Sequence, residues 1–353
     1  MSLIPLSEKG NLNQIKDPAV TADKKYPESL AMEPESSCME ILLGKNRTVE
    51  ITKTIRIGSI FRLVDIICLA YLLTVIILIF LFQGNVADGW ALILNHLLQA
   101  SGIVLIVQLH KGFPKNRLFF TVRSLYPVAV FALAWNYLTD LVPMIYGNYW
   151  ATDWVIDIDQ QIFGVHPTVW IKSLYRPWLD ELMNICYSGY YLFMPSITLW
   201  LFIKKRYQDL TYALSIAALA YLSNFIFYYL FPVLGPHMVP TLKELSNLHY
   251  TGYWICRVTR IIQSNGGIIG GACPSSHVTA AIIWSLLAIR ILGKTGYVML
   301  LMTVGIIFST VYLGYHHAFD AILAIVWALI SYQLGGKMLS FIPQNPIVSK
   351  RGS

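Results

Sequence analysis

The chain has 353 residues, 56% of them apolar and 13% charged, with a mean hydropathy of +0.56. Soluble domains carry roughly 25% charged residues, so too few polar side chains are present to cover a water-facing surface, and disorder is excluded for most of the length. The 26 Lys and Arg against 19 Asp and Glu leave +7, which in a membrane chain marks cytoplasmic loops rather than nucleic-acid binding.

Residues 1–58, rich in Lys, Glu, Ser and Pro, read as a disordered cytoplasmic tail. No apolar stretch of a cleavable signal stands near Met1, so the first span is expected to act as its own insertion signal. A spanning helix needs about 20 mostly apolar residues. Eight segments qualify. Two additional transmembrane helices, 59–83 and 89–109, fill residues 59–110; then come 124–147, 182–203, 210–232, 276–293, 296–315 and 319–340. Helices are expected because lipid offers no partner to open backbone groups. Asn136, Asp140 and Asn184 interrupt the third and fourth segments. Residues 341–353 form a second cytoplasmic tail.

Span counting puts the basic clusters on one side: Lys45, Arg47, Lys53 and Arg56; Lys111, Lys115, Arg117 and Arg123; Lys204, Lys205 and Arg206; Arg290 and Lys294; Lys337, Lys350 and Arg351. Both termini are therefore expected in the cytoplasm, with the chain in the plasma membrane of a bacterium or in the Golgi or a similar membrane of a eukaryote. The other side receives two long connections, 148–181 and 233–275. The first holds Asp153, Asp157 and Asp159 and suits a partly buried interfacial helix.

Three histidine-bearing segments face that second side. Pro274, Ser275, Ser276 and His277 open the sixth span. His316, His317 and Asp320 join the seventh and eighth. The separation of His277 from His316 is 39 residues, about two spans, so both emerge on the same face. Pro followed by Ser is a helix start, and the free N–H groups there suit a phosphate. His316 and Asp320 are four apart and share a helical face; a carboxylate on one imidazole nitrogen fixes the tautomer and makes the other nitrogen nucleophilic. The third segment, 228–240, contains His237 among three prolines and a glycine that end the fifth span. A single histidine or a single Ser-rich helix start is most simply structural; the conjunction on one face points to chemistry. Arg62 and Asp65 are spaced to pair. His96 and Asp140 have no assigned role, and Tyr190 and Tyr191 read as packing or an interfacial belt. Cys256 and Cys273 share the outer loop, where an oxidising compartment would permit a disulfide.

These segments resemble the type 2 phosphatidate phosphatase (PAP2) superfamily, which shares its core with vanadium haloperoxidases. The family's middle motif is Pro-Ser-Gly-His, and residues Pro274, Ser275, Ser276 and His277 match it with Ser276 at the Gly position. Its last motif is Ser-Arg, five residues, His, three residues, Asp; Ser309, His316 and Asp320 fall at those spacings, with Thr310 in place of Arg. Its first motif supplies Lys and Arg-Pro, which the end of the fifth span lacks; His237 stands where the arginine belongs. Arg176 and Pro177 lie before the fourth span, with Lys172 too near them to match. Thr310, Val311, Tyr312 and Leu313 before a His pair, with the loop at Phe163 and Gly164 and the Tyr-rich span from Tyr187, resemble the inositol phosphorylceramide synthase branch.

The resemblance implies an all-α integral membrane bundle of about eight helices with a six-helix PAP2-like catalytic core at 124–340. It implies a phosphohistidine mechanism in which His316 is the nucleophile, Asp320 orients it and His277 is general acid and base. Ser275, Ser276, His237 and Ser309 would hold the phosphate, with Arg257, Arg260 and Lys243 replacing the missing cations. The substrate would be a phospholipid or sphingolipid phosphoester, and the acceptor water or a lipid alcohol such as ceramide or diacylglycerol. No metal or cofactor is expected, and no nucleic acid. A lipid-phosphate transporter ranks lower because no internal repeat is present; the missing arginines keep an inactive lipid-binding relative in view.

Overall fold

The computed structural model describes residues 60–245 and 252–341; the expectations for 1–58 and for 342–353 lie outside the described residues. The described chain is helical, with one isolated bridge between Val233 and Gly271. The long helices are α1 (Leu63–Leu81), α2 (Gly89–Gly112) and α3 (Arg117–Leu141). After two short helices, α4 (Thr152–Phe163) and α5 (Pro167–Lys172), come α6 (Pro177–Ile203) and α7 (Tyr207–Leu230). The second long connection carries α8 (Pro240–Leu245) and α9 (Trp254–Gly266), and the chain closes with α10 (Ser276–Leu292), α11 (Gly296–Tyr312) and α12 (Ala318–Phe341).

Local chemistry sets several boundaries. The Asn116 side chain caps α3 by accepting from the N–H groups of Leu118 (2.9 Å) and Phe119 (3.3 Å). Pro177 occupies the first turn of α6, where its missing N–H costs nothing. Both helices begin several residues before the sequence-based segments, because a cap, not the first apolar residue, decides where a helix starts.

Among the described residues six segments are long and apolar enough to cross a membrane: Leu63–Leu81, Gly89–Gly112, Arg117–Met144, Tyr207–Leu230, Ser276–Tyr312 and Ala318–Phe341. The chain is a multi-pass membrane protein. The sequence reading of eight differs in two places. Helix α6 is outside the six because Tyr187, Ser188, Tyr190, Tyr191 and Pro195 dilute the hydropathy of its charge-free stretch, and its first turns hold Asp180, Glu181 and Asn184. Ser276–Tyr312 counts once but is a hairpin of α10 and α11: Ser285 and Thr303 hydroxyls meet at 2.7 Å across it.

Helix α10 is buried on nearly every side and forms the axis, packed by α6, α7, α11 and α12. Lipid gives no hydrophobic drive between helices, so close approach of small residues must hold them. Ala213, Ala217, Ala218 and Ala220 of α7, Ala280, Ala281 and Ala288 of α10, and Ala321, Ala324 and Ala328 of α12 supply that seam. Exposed Leu73, Ile77, Phe80, Leu98 and Leu105 give α1 and α2 their lipid-facing sides. His96 turns inward, donating to the Leu92 carbonyl at 2.7 Å beside the Tyr137 ring.

Candidate active site

His277 sits in the first turn of α10. The Ser275 hydroxyl caps that turn by accepting from the Val278 N–H at 3.4 Å. Asn224 of α7 clamps it from the side, donating to the Pro274 carbonyl at 2.9 Å and accepting from the Thr279 hydroxyl at 3.1 Å. His316 lies in the turn between α11 and α12. Gly314, at φ +73°, reverses the chain there, and the N–H groups of Tyr315 and His316 both reach the Thr310 carbonyl at 3.1 Å. The proline-rich loop passes so close that a Cβ on Gly235 would fall 2.4 Å from the Tyr315 carbonyl oxygen. That loop pairs with 270–272: Val233 N–H donates to Gly270 at 2.9 Å and Ala272 N–H to Val233 at 3.0 Å. The pairing turns the Ala272 carbonyl toward His316.

His316 Nδ1 is 2.8 Å from that carbonyl oxygen. A carbonyl only accepts, so Nδ1 carries a proton and the neutral ring keeps its lone pair on Nε2. Nε2 is 3.3 Å from His277 Nδ1, which must then be the donor. The free lone pair of His277 is left on Nε2, and the Tyr187 hydroxyl of α6 donates to it at 2.8 Å. One backbone carbonyl thus fixes the direction of every proton along a chain of three side chains. Tyr187 is fully buried, His277 is 7% and His316 4% exposed, so water competes little for these bonds. Aromatic rings enclose His277: Tyr187 stacks on it at 4.8 Å, Tyr190 lies at 4.7 Å, and Trp135 and Tyr191 stand edge-on at 6.5 Å.

A family model for the PAP2 superfamily matches residues 153–334, just over half the chain, including Tyr187, His277, His316 and Asp320. The chain belongs to the PAP2 superfamily. Its members are generally phosphatase-type enzymes. No curated protein and no solved structure matches the chain.

Several residues of this PAP2 site differ from their sequence assignments. Asp320 Oδ2 is 3.8 Å from His316 Nδ1 and accepts instead from the His317 N–H at 2.8 Å; the direct orienting bond to His316 comes from Ala272. A backbone carbonyl has no side-chain signature, so the i,i+4 carboxylate took its place in the sequence reading. Of the N–H groups expected for phosphate, Ser275 donates to the Asp320 carbonyl and Ser276 to the Tyr228 hydroxyl, both at 3.1 Å. Among the described residues the His277 N–H has no such partner. Ser309 donates its hydroxyl to Ile306 of its own helix at 2.8 Å, and Thr310 does the same to Ile307.

His237 is close to the pair but is no arginine substitute. Burial pushes its imidazole down to about 4, and the neighbouring His316, Lys243 and His317 oppose its charge further. It donates from Nδ1 to the Gly314 carbonyl at 3.0 Å. Arg257 and Arg260 are exposed on α9. That helix is tied to α6 by Glu181, whose carboxylate accepts from the N–H groups of Tyr253 (2.7 Å), Ile255 (2.7 Å) and Cys256 (3.2 Å). Lys172 is buried against Asp180 at 2.9 Å and lies 4.4 Å over the Tyr312 ring. Cys256 and Cys273 are both free thiols: Cys256 faces Asp180 at 3.5 Å, while burial and then Asp320 push the Cys273 thiol well up.

Helix α4 also borders the site. Asp159 caps α12, accepting from the N–H groups of Ala318 at 3.0 Å and Phe319 at 2.8 Å. Among the described residues no group of three or more His, Cys, Asp and Glu is arranged to hold a metal ion. Tyr187, which bonds and stacks on His277, was not among the site residues read from the sequence. Its signal was the spacing of Tyr187, Tyr190 and Tyr191, which puts three phenols on one face of α6.

Proposed function

We propose that this PAP2 protein moves the phosphoryl or phospho-headgroup of a membrane lipid through a phosphohistidine at the non-cytoplasmic face. The single observation that carries the reading is the anchored pair: His316 Nδ1 held by Ala272, with Nε2 directed at His277 3.3 Å away. His316 Nε2 attacks the lipid phosphorus, and a P–N bond forms as the P–O bond to the leaving alcohol breaks. Protonated His277 gives its proton to that oxygen. An acceptor hydroxyl then loses its proton to His277 while its oxygen bonds to phosphorus and the P–N bond breaks. The Tyr187 hydroxyl suits both halves, because it donates to a neutral His277 ring and accepts from a protonated one. Lys243, Arg257 and Arg260 on this side would bring positive charge toward the phosphoryl oxygens; neutral His237, whose single N–H goes to the Gly314 carbonyl, has no donor to give them.

The long helices fit eight spans with both termini in the cytoplasm, since Lys and Arg collect at the end opposite the histidines. The motif that departs at the arginines favours transfer to a lipid alcohol such as ceramide or diacylglycerol, as in the inositol phosphorylceramide synthase-like branch, over hydrolysis.

The test is purified protein in mixed micelles with radiolabelled phosphatidate or a phosphosphingolipid donor, with and without ceramide, products read by mass spectrometry. Wild type is expected to turn over and to carry an acid-labile, base-stable phosphoryl label after quenching. His316→Ala is expected to lose at least about 10⁴-fold in rate and all label. Turnover that survives His316→Ala sinks the mechanism. Lipid transport that survives it favours a flippase, and binding by wild type without turnover favours an inactive relative.

A further inference from the structure

We infer that a second, non-catalytic lipid site lies at the opposite end of the bundle, taking the phosphate of an anionic lipid headgroup with Arg62 as its ligand. The start of α1, the last turn of α2 and the first turns of α3 meet there. Asp65 is fully buried, and both its oxygens receive the Arg123 guanidinium in a two-pronged pair. The Tyr126 hydroxyl donates to one of those oxygens and the Arg62 backbone N–H to the other, the latter at 2.5 Å. A carboxylate offers about four lone-pair sites. Asp65 is full.

The sequence spacing had paired Asp65 with Arg62, and the structure corrects it: Arg123, 58 residues away, takes the carboxylate and leaves the Arg62 guanidinium without it. Arg62 donates from Nη1 to the Arg123 carbonyl at a long 3.4 Å. Its other guanidinium donors meet no acceptor among the described residues. Two guanidinium groups therefore share one carboxylate in a half-buried corner. An unmatched buried charge is costly, and a corner that keeps one is built for an anion.

A second observation points the same way. The Nδ1 atom of His110, in the last turn of α2, is buried with no hydrogen-bond partner among the described residues. The ring packs on Phe120 and lies within electrostatic reach of both Arg62 and Arg123. Lys111, Lys115 and Arg117 are exposed on the adjoining connection, while exposed Ile66, Phe113 and Leu118 give the corner apolar flanks. Cations between helices with lipid-facing apolar neighbours fit a lipid phosphate better than a free ion. The site is also remote: α10 alone, at 17 residues, separates the two ends by about 25 Å.

Thermal unfolding of the full chain in neutral detergent tests this, with added phosphatidylglycerol, phosphatidylcholine or inorganic phosphate. Phosphatidylglycerol is expected to raise the midpoint by several degrees and the other two to leave it within error. Arg62→Gln should abolish the shift, whereas Lys294→Gln, a surface charge at the same end, should keep it. His316→Ala should also keep it, which separates this site from the histidine end whatever the reaction there. If Arg62→Gln does not fold, Arg62→Lys, which keeps charge but loses the planar fork, should at least halve the shift. Native mass spectrometry should count one retained phosphatidylglycerol more on wild type than on the variant. An equal shift in the Arg62 variant, a shift lost in His316→Ala, or the same response to inorganic phosphate would each overturn the proposal.

Discussion

At one end of the bundle a carboxylate and a guanidinium face each other, fully buried and joined at both oxygens; at the other, two imidazoles and a phenol meet with no formal charge among them. Asp65 and Arg123 can do little but hold α1 to α3, since every lone pair of the carboxylate is taken. Tyr187, His277 and His316 are each able to donate or accept, so the same bonds persist while a proton moves along them. The histidine end does contain an ion pair, Lys172 with Asp180, but it sits against Tyr312 and the start of α9 rather than on the rings. Fixed charge holds the frame; neutral amphoteric groups would carry the proposed chemistry.

The harshest way to break that contrast is Asp65→Asn. It leaves Arg123 buried without its counter-ion, and removing one member of a buried pair costs about 3–5 kcal/mol. Equilibrium or thermal unfolding in detergent should show that loss, while turnover per folded molecule stays within about twofold. A cost under about 1 kcal/mol would mean the pair does not hold the frame. A large fall in turnover by the folded fraction would mean the two ends are not separable.

Tyr187→Phe sharpens the other half. The ring and its stack on His277 remain, and one hydroxyl is lost. The rate should fall about tenfold, the worth of one hydrogen bond of ~1.4 kcal/mol, with the pH–rate profile altered and the unfolding midpoint little changed. Tyr228→Phe removes a hydroxyl that meets the Ser276 N–H instead, and its pH–rate profile should match wild type. Identical profiles in all three proteins would reduce Tyr187 to packing.

What the sequence made legible follows from how far apart the partners are. The meeting of His277 and His316 could be read because two spans of known length separate them. The cap at Ser275 and the short helix at 152–163 could be read because each is local. Tyr187 lies 90 residues from His277, and nothing local says which phenol of α6 turns inward. Ala272 acts through its backbone, which no residue type betrays. Arg62 illustrates the reverse error: a partner three residues away looked sufficient, and tertiary packing gave Asp65 to Arg123 instead. Helix α6 was read as a span from 182–203, although the phenols that gather around His277 dilute its apolar signal.

The smallest effect concerns His237, where the contrast predicts a neutral ring. An unperturbed histidine titrates near ~6.5, and burial brings His237 down to about 4 in the folded chain. Between those values the unfolded chain binds more protons than the folded one, so stability rises with pH across the window. The contribution is complete above about 6.5 and is lost as pH falls toward about 4. Because the side chain is partly exposed, solvent screening reduces the effect to about 1 kcal/mol. Replacing His237 with Asn should leave the unfolding midpoint less sensitive between pH 5 and pH 7.5 than wild type, although other groups, including Asp159, whose carboxyl burial pushes up, titrate in both proteins. Parallel curves for the two would mean His237 titrates alike in the folded and unfolded chains, and a wild-type midpoint that falls with rising pH relative to the variant would mean His237 is charged in the folded chain. The histidine end would then hold a cation after all, where the missing arginine of the first motif would have stood.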